Sequence, residues 1–263
     1  MKWAKAYLLW TFRELGEMVF FLQKLFRILP TLKKYKLELL TQMYHVGISA
    51  LTVTIVSGLF VGAIFATQFY LQLKGYGANS FIGGLNTSGT IRDLGPLLVA
   101  FMLAGKIGAF VSAELGTMKV TNQIDAIRCL GTDPFEYLLL PRFIAIILMT
   151  FVLLFFALII SIVGGMVAMI IMANMNPIEY TNKIPDLVNS ISVITGLTKS
   201  AVFGFLIAWI CCYIGYSTTG GAKGVGITVN RTAVTTVVAI VLADFTVATV
   251  IDWLGFLLPG GGR

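Results

Sequence analysis

Residues 113–134 read AELGTMKVTNQIDAIRCLGTDP and separate two long apolar runs. An apolar stripe at helical spacing runs through this stretch, formed by Val120, Ile124, Ile127 and Leu130. Thr117 is a suitable N-cap, Gly131 suits the left-handed position that follows a helix, and Pro134 prevents continuation. The stretch therefore predicts a short amphipathic helix over about 117–131, and the apolar runs around it decide the fold.

The chain is far more apolar than a soluble domain. Of its 263 residues, 57% are hydrophobic and 12% are charged, whereas about 25% of residues in soluble proteins are charged. A large soluble protein is excluded because the charged shell that it needs is missing. The net charge of +7 arises largely from Lys and Arg before residue 40, a pattern typical of contact with anionic lipid and not with nucleic acid.

Five segments are long and apolar enough to cross about 30 Å of hydrocarbon, which takes about 20 residues. They cover approximately 46–73, 94–113, 143–173, 191–216 and 232–258. The three cysteines show no metal-ligand spacing, and the single histidine has no acidic cluster beside it. The sequence therefore predicts a membrane protein without a metal site and without the residues that an enzyme active site needs.

Residues 4–29 have a different pattern. Apolar residues recur every three or four positions, at Leu8, Phe12, Leu15, Val19, Leu22, Phe26 and Leu29. Arg13, Glu17, Lys24 and Arg27 cluster on the other side, and Pro30 ends the helix. This pattern predicts a helix lying in the membrane interface; a sixth span is the alternative, but it would bury four charges.

The fold class is therefore an all-α membrane protein, a single domain over residues 1–263. Residues 1–37 form the interfacial helix and a basic linker, and residues 38–263 form five spans with the short amphipathic helix between spans two and three. Thirteen of the nineteen Lys and Arg fall on the side of the N-terminus and of residues 113–134. Because basic residues favour the cytoplasmic side, the N-terminus is predicted in the cytoplasm and the C-terminus outside.

Four charged residues fall inside or at the ends of the predicted spans and converge on their outer half: Arg92, Asp93, Lys199 and Asp244. Two interpretations stay open. The charges either neutralise one another and hold helices together, or they line a cavity that receives a lipid headgroup. Gln68 and Tyr70, near the outer end of span one, could face the same cavity. Lys106 lies in the inner half, where it is expected to play a local structural role.

Small residues recur at four-residue spacing in spans one and two, at Gly58, Gly62 and Ala66, and at Ala100, Ala104, Gly108 and Ser112. Such ladders let membrane helices approach closely. The pattern does not distinguish contacts within one chain from contacts between two copies.

Several separated motifs resemble the MCE-associated permeases of the MlaE/YrbE type. The main one is RDLGPLLVAFMLAGKIGAFVSAELGTMKVTNQIDAI at 92–127. Others agree in the same order: QMYHVGI at 42–48, SGLFVGAIFATQFY at 57–70, PRFIA at 141–145, KSAVFG at 199–204 and GITVNRTAV at 226–234. The likeness covers residues 40–250, with Asp93 and Asn122 where the family often has Glu.

This resemblance implies the permease subunit of an ABC-type lipid transporter in a bacterial inner membrane. It implies a homodimer around a phospholipid cavity, cytoplasmic ATPase subunits, and a periplasmic MCE-domain protein assembly that receives or delivers lipid. It also implies that residues 1–263 form a single permease domain and that the helix over about 117–131 is a coupling helix. This coupling helix docks in the ATPase, through residues among Glu114, Gly116, Val120, Gln123, Ile124, Asp125, Ile127 and Arg128.

No GxxxxGK[ST] motif occurs in the chain. ATP and Mg²⁺ are therefore expected in a partner chain, and this chain is expected to be non-catalytic and to carry no cofactor of its own. An ion-coupled secondary transporter of an amphiphilic substrate is the alternative, because it would also explain the charges in the membrane.

Overall fold

Helices account for nearly all of the protein. The computed structural model describes the backbone of residues 2–257 and the side chains of residues 13–253, and no strand occurs in that part of the chain. The α-helices are α1 (Lys2–Arg27), α2 (Lys36–Leu73), α3 (Ile82–Gly89), α4 (Gly95–Leu103), α5 (Ala109–Val120), α6 (Gln123–Cys129), α7 (Leu140–Ala173), α8 (Pro177–Asn182), α9 (Ile184–Leu187), α10 (Ser190–Tyr216) and α11 (Gly221–Leu257). The predicted all-α fold is confirmed.

The five predicted spans are also confirmed. Within residues 2–257, five helical segments are long and apolar enough to cross a membrane: Leu29–Tyr76, Asn79–Val120, Phe135–Ala173, Ser190–Tyr216 and Gly221–Trp253. The segments for spans one, two, three and five begin before the predicted bounds, because the helices continue past the end of each apolar run. The predicted end of span five at Leu258 lies outside the described residues.

Span two contains two wide π-helical turns. Helices α3, α4 and α5 follow one another through the turns Thr90–Leu94 and Ala104–Gly108. Such turns are rare in α-helices and are frequent at functional sites. The first turn carries Arg92 and Asp93 and the second carries Lys106, whose side chain is exposed and forms no ion pair or hydrogen bond with any described residue.

The small-residue ladder of span one packs α2 against α7 within the chain. A Cβ atom added to Gly62 would lie 1.7 Å from the carbonyl oxygen of Ser161, and one added to Gly58 would lie 2.7 Å from that of Ala157. From the other helix, a Cβ on Gly164 would lie 2.1 Å from the carbonyl oxygen of Leu59. The backbones of α2 and α7 therefore touch directly. The small-residue ladder of span one forms contacts within one chain.

Replacing Gly62 with alanine is expected to destabilise the protein by about 3 kcal/mol, because α2 and α7 would have to separate to admit one methyl group. Gly105 is the matched control, since a Cβ added there meets nothing within 4 Å. Thermal unfolding of the purified variants in detergent measures the difference. Equal melting temperatures for Gly62→Ala and Gly105→Ala would contradict the close contact.

The ladder of span two also packs inside the chain. Ala100, Ala104 and Ser112 are completely buried. A Cβ on Gly215 of α10 would lie 3.1 Å from the Cα of Ser112, and a Cβ on Gly108 would lie 3.6 Å from a methyl group of Thr232 on α11. Span two is therefore the central helix against which α10 and α11 pack.

Helix α1 packs against the helix bundle through a face that the sequence pattern did not single out. Phe21 and Leu25 are buried against the bundle, and the indole nitrogen of Trp209 donates a hydrogen bond to the carbonyl oxygen of Met18 at 3.0 Å. The predicted apolar stripe is exposed instead, with Leu15, Val19, Phe26 and Leu29 each more than a third exposed. Leu8 and Phe12 lie outside the residues whose side chains are described. An exposed apolar stripe on a packed helix is the arrangement that an interfacial helix needs.

The predicted single helix over 117–131 is wrong in its bounds. Helix α5 continues to Val120, and the Thr117 hydroxyl donates to the carbonyl oxygen of Ala113 and does not cap a new helix. Asn122 has φ 60°, a left-handed conformation that short polar side chains tolerate, so the chain turns there and α6 covers only Gln123–Cys129. The predicted left-handed glycine after the helix is confirmed at Gly131 (φ 79°).

The segments predicted on one side of the membrane meet at one end of the bundle. Lys24 lies 3.9 Å from Asp133, Glu14 forms an ion pair with Arg231, and Arg128 donates a hydrogen bond to the Tyr216 hydroxyl. These contacts join α1 to the residues after α6 and to α11, and α6 to the end of α10. This end is called the α6 end below, and the opposite end, which carries α8 and α9, the α8 end.

Candidate functional site

A buried lysine near the α8 end forms ion pairs with two carboxylates. Lys199 of α10 is completely buried, and its Nζ lies 3.2 Å from Asp93 Oδ1 and 2.8 Å from Asp244 Oδ1. Three separate spans supply these groups. A buried ammonium needs such partners, because an unpaired charge in an apolar interior carries a large desolvation penalty. Three of the four charges that the sequence predicted to converge are therefore brought together, and Arg92 joins them through Asp93.

The cluster continues outward through Arg92. Its guanidinium lies 4.0 Å from Asp93 Oδ2 and forms an ion pair with Asp252. Lys199 at the inner end is 0% exposed, whereas the side chains of Asp93, Arg92 and Asp252 are 51%, 38% and 55% exposed. The row has one more carboxylate than it has cations, and its outer members are accessible. Asp252, to which the sequence analysis gave no role, is part of it.

Local backbone features hold the cluster in place. The π-helical turn Thr90–Leu94 widens span two where Arg92 and Asp93 project. Gly196, one turn before Lys199, lets α10 approach this turn, since a Cβ there would lie 2.5 Å from the carbonyl oxygen of Ile91. A small apolar recess of about 70 Å³ opens beside it, lined by side chains that include Ile91, Leu158 and Leu197.

The two residues predicted on span one lie apart from the charges. Tyr70 packs against a small apolar cluster that includes Ala66, Ile82 and Met169, and Lys74 lies over its ring at 5.6 Å. Gln68 is exposed on α2 and forms no hydrogen bond with any described residue. The structure therefore does not bring Gln68 and Tyr70 into the charge cluster, because α2 packs mainly on α7 and the charges sit on spans two, four and five.

A buried hydrogen bond near the α8 end was not predicted from the sequence. The amide of Asn86 donates a 2.8 Å hydrogen bond to the hydroxyl of Tyr180, and both residues are 1% exposed. Burial raises the pKa of Tyr180 above its ordinary value, and the hydrogen bond from Asn86 offsets part of this increase. This contact fixes α8 against span two, so the loop between spans three and four is anchored beside the charged row.

At the α6 end, α6 is held by ion pairs and by its own apolar side chains. Asp125 lies 3.6 Å from Lys119 and 3.4 Å from Arg128, and Arg128 donates a 2.6 Å hydrogen bond to the Tyr216 hydroxyl. Ile124 is completely buried, and Ile127 is half-buried. Ile124 and the half-buried Ile127 therefore pack on the chain's own helices, and contact of this segment with a partner stays a prediction.

Other residues of α6, and the residue that follows it, are exposed. Leu130, directly after α6, is 83% exposed. Gln123, Ala126 and Cys129 are also exposed, and Gly116 packs against Thr218. Val120 is half-buried at the end of α5. Of the predicted docking residues, Gln123 and Arg128 are accessible. The exposed Cys129 was not among them, and neither was Leu130, the one member of the predicted apolar stripe that is exposed.

A second buried cation lies near the α6 end. Arg142 is 1% exposed; its Nη2 donates to Glu114 Oε1 at 2.8 Å, and its Nε donates to Gln42 Oε1 at 3.1 Å. The three residues come from the start of α7, the end of α5 and the start of α2. Glu114, predicted as a coupling residue, is thus engaged in an ion pair that connects spans two and three on either side of α6.

These features define a helical membrane protein with a charged cluster in its spans and a short helix exposed between spans two and three. The family model of the permease MlaE matches residues 39–250, and the chain belongs to this family. A probable ABC transporter permease protein from Synechocystis sp. is 38% identical over 217 residues, which cover 82% of this chain and 81% of that protein. A Rickettsia conorii protein of the same description is 36% identical, covering 79% and 80%.

A plant relative carries a lipid in its name. The chloroplastic protein TRIGALACTOSYLDIACYLGLYCEROL 1 of Arabidopsis thaliana is 34% identical, over an alignment that covers 99% of this chain and 72% of that protein. The chain is therefore an ABC transporter permease of the MlaE family with five membrane spans.

Proposed function

We propose that this chain is the permease subunit of an ABC-type transporter that moves phospholipid between the bacterial inner membrane and a periplasmic MCE-domain protein assembly. It works as a homodimer, with ATP and Mg²⁺ bound by separate cytoplasmic ATPase subunits. The α6 end faces the cytoplasm with the N-terminus, and the α8 end faces the periplasm with the C-terminus. Membership of the permease family and the name of the plant relative support the lipid assignment.

The observation that carries the proposal is the charged row from Lys199 to Asp252. Its inner end is buried and doubly paired, while Arg92 and Asp93 remain accessible at its outer end. Arg92 suits a phosphate, because a guanidinium binds it through paired hydrogen bonds, and the accessible carboxylates suit the ammonium of a zwitterionic headgroup. Lys199 is buried beneath them, so it acts as a positioning residue and not as a direct contact.

Gln68 and Tyr70 remain proposed lipid contacts only for an assembled dimer, in which the surface of α2 from one copy approaches the cavity. The coupling function is assigned to the exposed part of the α6 end. Glu114, Gly116, Val120, Ile124 and Ile127 support this end from inside, whereas Gln123, Arg128 and the ion-paired Asp125 lie at its surface.

The test is co-expression with the candidate ATPase, purification of the complex, and transfer of fluorescent phospholipid from proteoliposomes to a purified MCE-domain acceptor. Transfer is expected to require ATP and to stop when the catalytic carboxylate of the ATPase is replaced. Transfer that proceeds without ATP and follows an imposed proton or sodium gradient would contradict the proposal and support the secondary transporter.

A further inference from the structure

An open cavity at the α6 end lies outside the charged row. It has a volume of about 410 Å³ and is bounded by the start of α2, the end of α5 and the turn that leads into α7. Its wall includes Glu38, Thr41, Glu114, Tyr137 and Arg142. Cavities of this size are in the range that binds small molecules and headgroups.

Arg142 has an unused donor in this wall. Its Nη2 and Nε are hydrogen-bonded to Glu114 and Gln42, but its buried Nη1 has no hydrogen-bond partner among the described residues. A buried charged donor that stays unsatisfied is unfavourable. A phosphate oxygen is the acceptor that a guanidinium binds most readily.

The same cavity wall contains a carboxylate, that of Glu38, without a partner among the described residues. Glu38, in the first turn of α2, is half-buried and forms no ion pair or hydrogen bond with any described residue. Glu114 is already paired with Arg142. The cavity wall therefore holds a guanidinium with one buried, unpaired N–H group beside its ion pair with Glu114, and one half-buried carboxylate without a partner among the described residues. This combination matches a ligand that carries both a phosphate and an ammonium group.

The surroundings favour a lipid over a soluble ligand. Lys33, Lys34 and Lys36 come directly before the cavity-lining residues of α2 in the sequence. Basic residues are common where a chain meets anionic headgroups. From the cavity rim an exposed apolar stripe runs along α2 into the membrane span, through Leu37, Tyr44, Ile48 and Ile55. A headgroup in the cavity would thus leave its acyl chains on an apolar helix surface.

We propose that this cavity binds the headgroup of a zwitterionic phospholipid such as phosphatidylethanolamine from the leaflet at the α6 end, with the phosphate on Arg142 and the ammonium on Glu38. This lipid is separate from the transported one, and the proposal depends on the position of the α6 end at the membrane surface and not on transport. Because the lipid would contact α2, α5 and the turn into α7, it would brace the ends of spans one, two and three around α6.

The test uses the full chain reconstituted in nanodiscs of equal parts phosphatidylethanolamine and phosphatidylglycerol, with native mass spectrometry to count retained lipids. Thr41→Phe fills the cavity rim from an exposed position without changing a charge. Thr52→Phe is the matched control, since Thr52 is exposed on the same face of α2, three turns further into the span and outside the cavity.

Thr41→Phe is expected to lose one phosphatidylethanolamine per protomer, whereas Thr52→Phe keeps it. Glu38→Gln is expected to lower the ratio of retained phosphatidylethanolamine to phosphatidylglycerol about threefold, since only the former has an ammonium group. Equal lipid counts in Thr41→Phe and Thr52→Phe would overturn the site, and an unchanged ratio in Glu38→Gln would overturn its zwitterionic selectivity.

A cavity that receives a protein side chain would give a different result. In that case Thr41→Phe would leave the lipid count unchanged and reduce the amount of ATPase that co-purifies, which overturns the lipid proposal. Failure here is distinguishable from failure of the proposed function, because ATP-dependent phospholipid transfer depends on the charged row at the other end of the bundle.

Discussion

Replacing Lys199 with methionine is expected to lower the melting temperature of the purified protein by on the order of 10 °C. The physical reason is the two carboxylates that the substitution leaves behind. Asp93 and Asp244 lie 3.2 and 2.8 Å from the Nζ atom that would be lost, and removing one partner of a buried ion pair costs about 3–5 kcal/mol. Methionine is chosen because it fills nearly the same volume without a charge.

A double variant separates the contribution of charge pairing to stability from the contribution of side-chain packing. Lys199→Met combined with Asp244→Asn removes the lysine together with its closer and less accessible partner, so most of the lost stability is expected to return. Asp93 is half exposed and can be solvated without its partner. A double variant as unstable as Lys199→Met alone would show that packing of the lysine stem, and not charge pairing, sets the stability.

Transport then distinguishes the two interpretations that the sequence left open. If the row only holds helices together, the stabilised double variant should transfer phospholipid at the wild-type rate. If the row orients Arg92 and Asp93 for a headgroup, the double variant should fold and assemble but transfer lipid at least about tenfold more slowly, since an interaction of about 1.4 kcal/mol corresponds to a factor of ten. We expect the second result, because the accessible end of the row has no structural need to remain open.

Much of this fold could be predicted from the sequence, because a bilayer imposes a simple rule on helix length and composition. The five spans and the left-handed Gly131 follow from local residues alone. The convergence of Lys199 with Asp93 and Asp244 also followed, since a rise of about 1.5 Å per residue places charges at a depth in the membrane. The depth of a residue in the membrane depends only on its distance in sequence from the end of the span, so depth can be predicted from spacing alone.

What sequence spacing does not record is the direction in which a side chain points when the helix is irregular. The π-helical turn at Thr90–Leu94 shifts the register of span two, so which residues face α10 could not be derived from a regular period. Gln68 and Tyr70 were placed by depth and lie on a helix whose neighbour is α7 and not the charged row. Arg142 was overlooked because its partners Gln42 and Glu114 are far away in sequence.

Helix α6 shows the same limit most clearly. An apolar stripe on a short helix predicts that one face is covered, but not by what. The pattern was assigned to a partner protein, whereas Ile124 is buried in the chain's own core. The chain turns at Asn122, so the stripe is divided: Ile124 is buried, whereas Leu130 is exposed and available to a partner together with Gln123 and Arg128.

The exposed position of Leu130 leads to a second prediction, on binding of the ATPase subunit. Leu130→Asp is expected to weaken binding of the ATPase subunit about thirtyfold or more, because an exposed leucine on the docking face would be a central buried contact in the complex, and losing such a contact costs about 2 kcal/mol or more. The measurement is the affinity of purified permease for the ATPase by biolayer interferometry. Folding of the variant should be unaffected, since Leu130 is 83% exposed.

Ile178→Asp is the matched control for this substitution. Ile178 of α8 is 74% exposed and lies at the α8 end, so the same change in charge and polarity there should leave ATPase affinity unaltered. If both variants bind the ATPase as the wild type does, α6 is not the docking element and the proposed route of force transmission is wrong. If only Leu130→Asp loses binding, then the force from nucleotide closure enters at α6 and reaches spans two and three through Arg142 and Glu114, whose 2.8 Å contact joins the helices on either side of it.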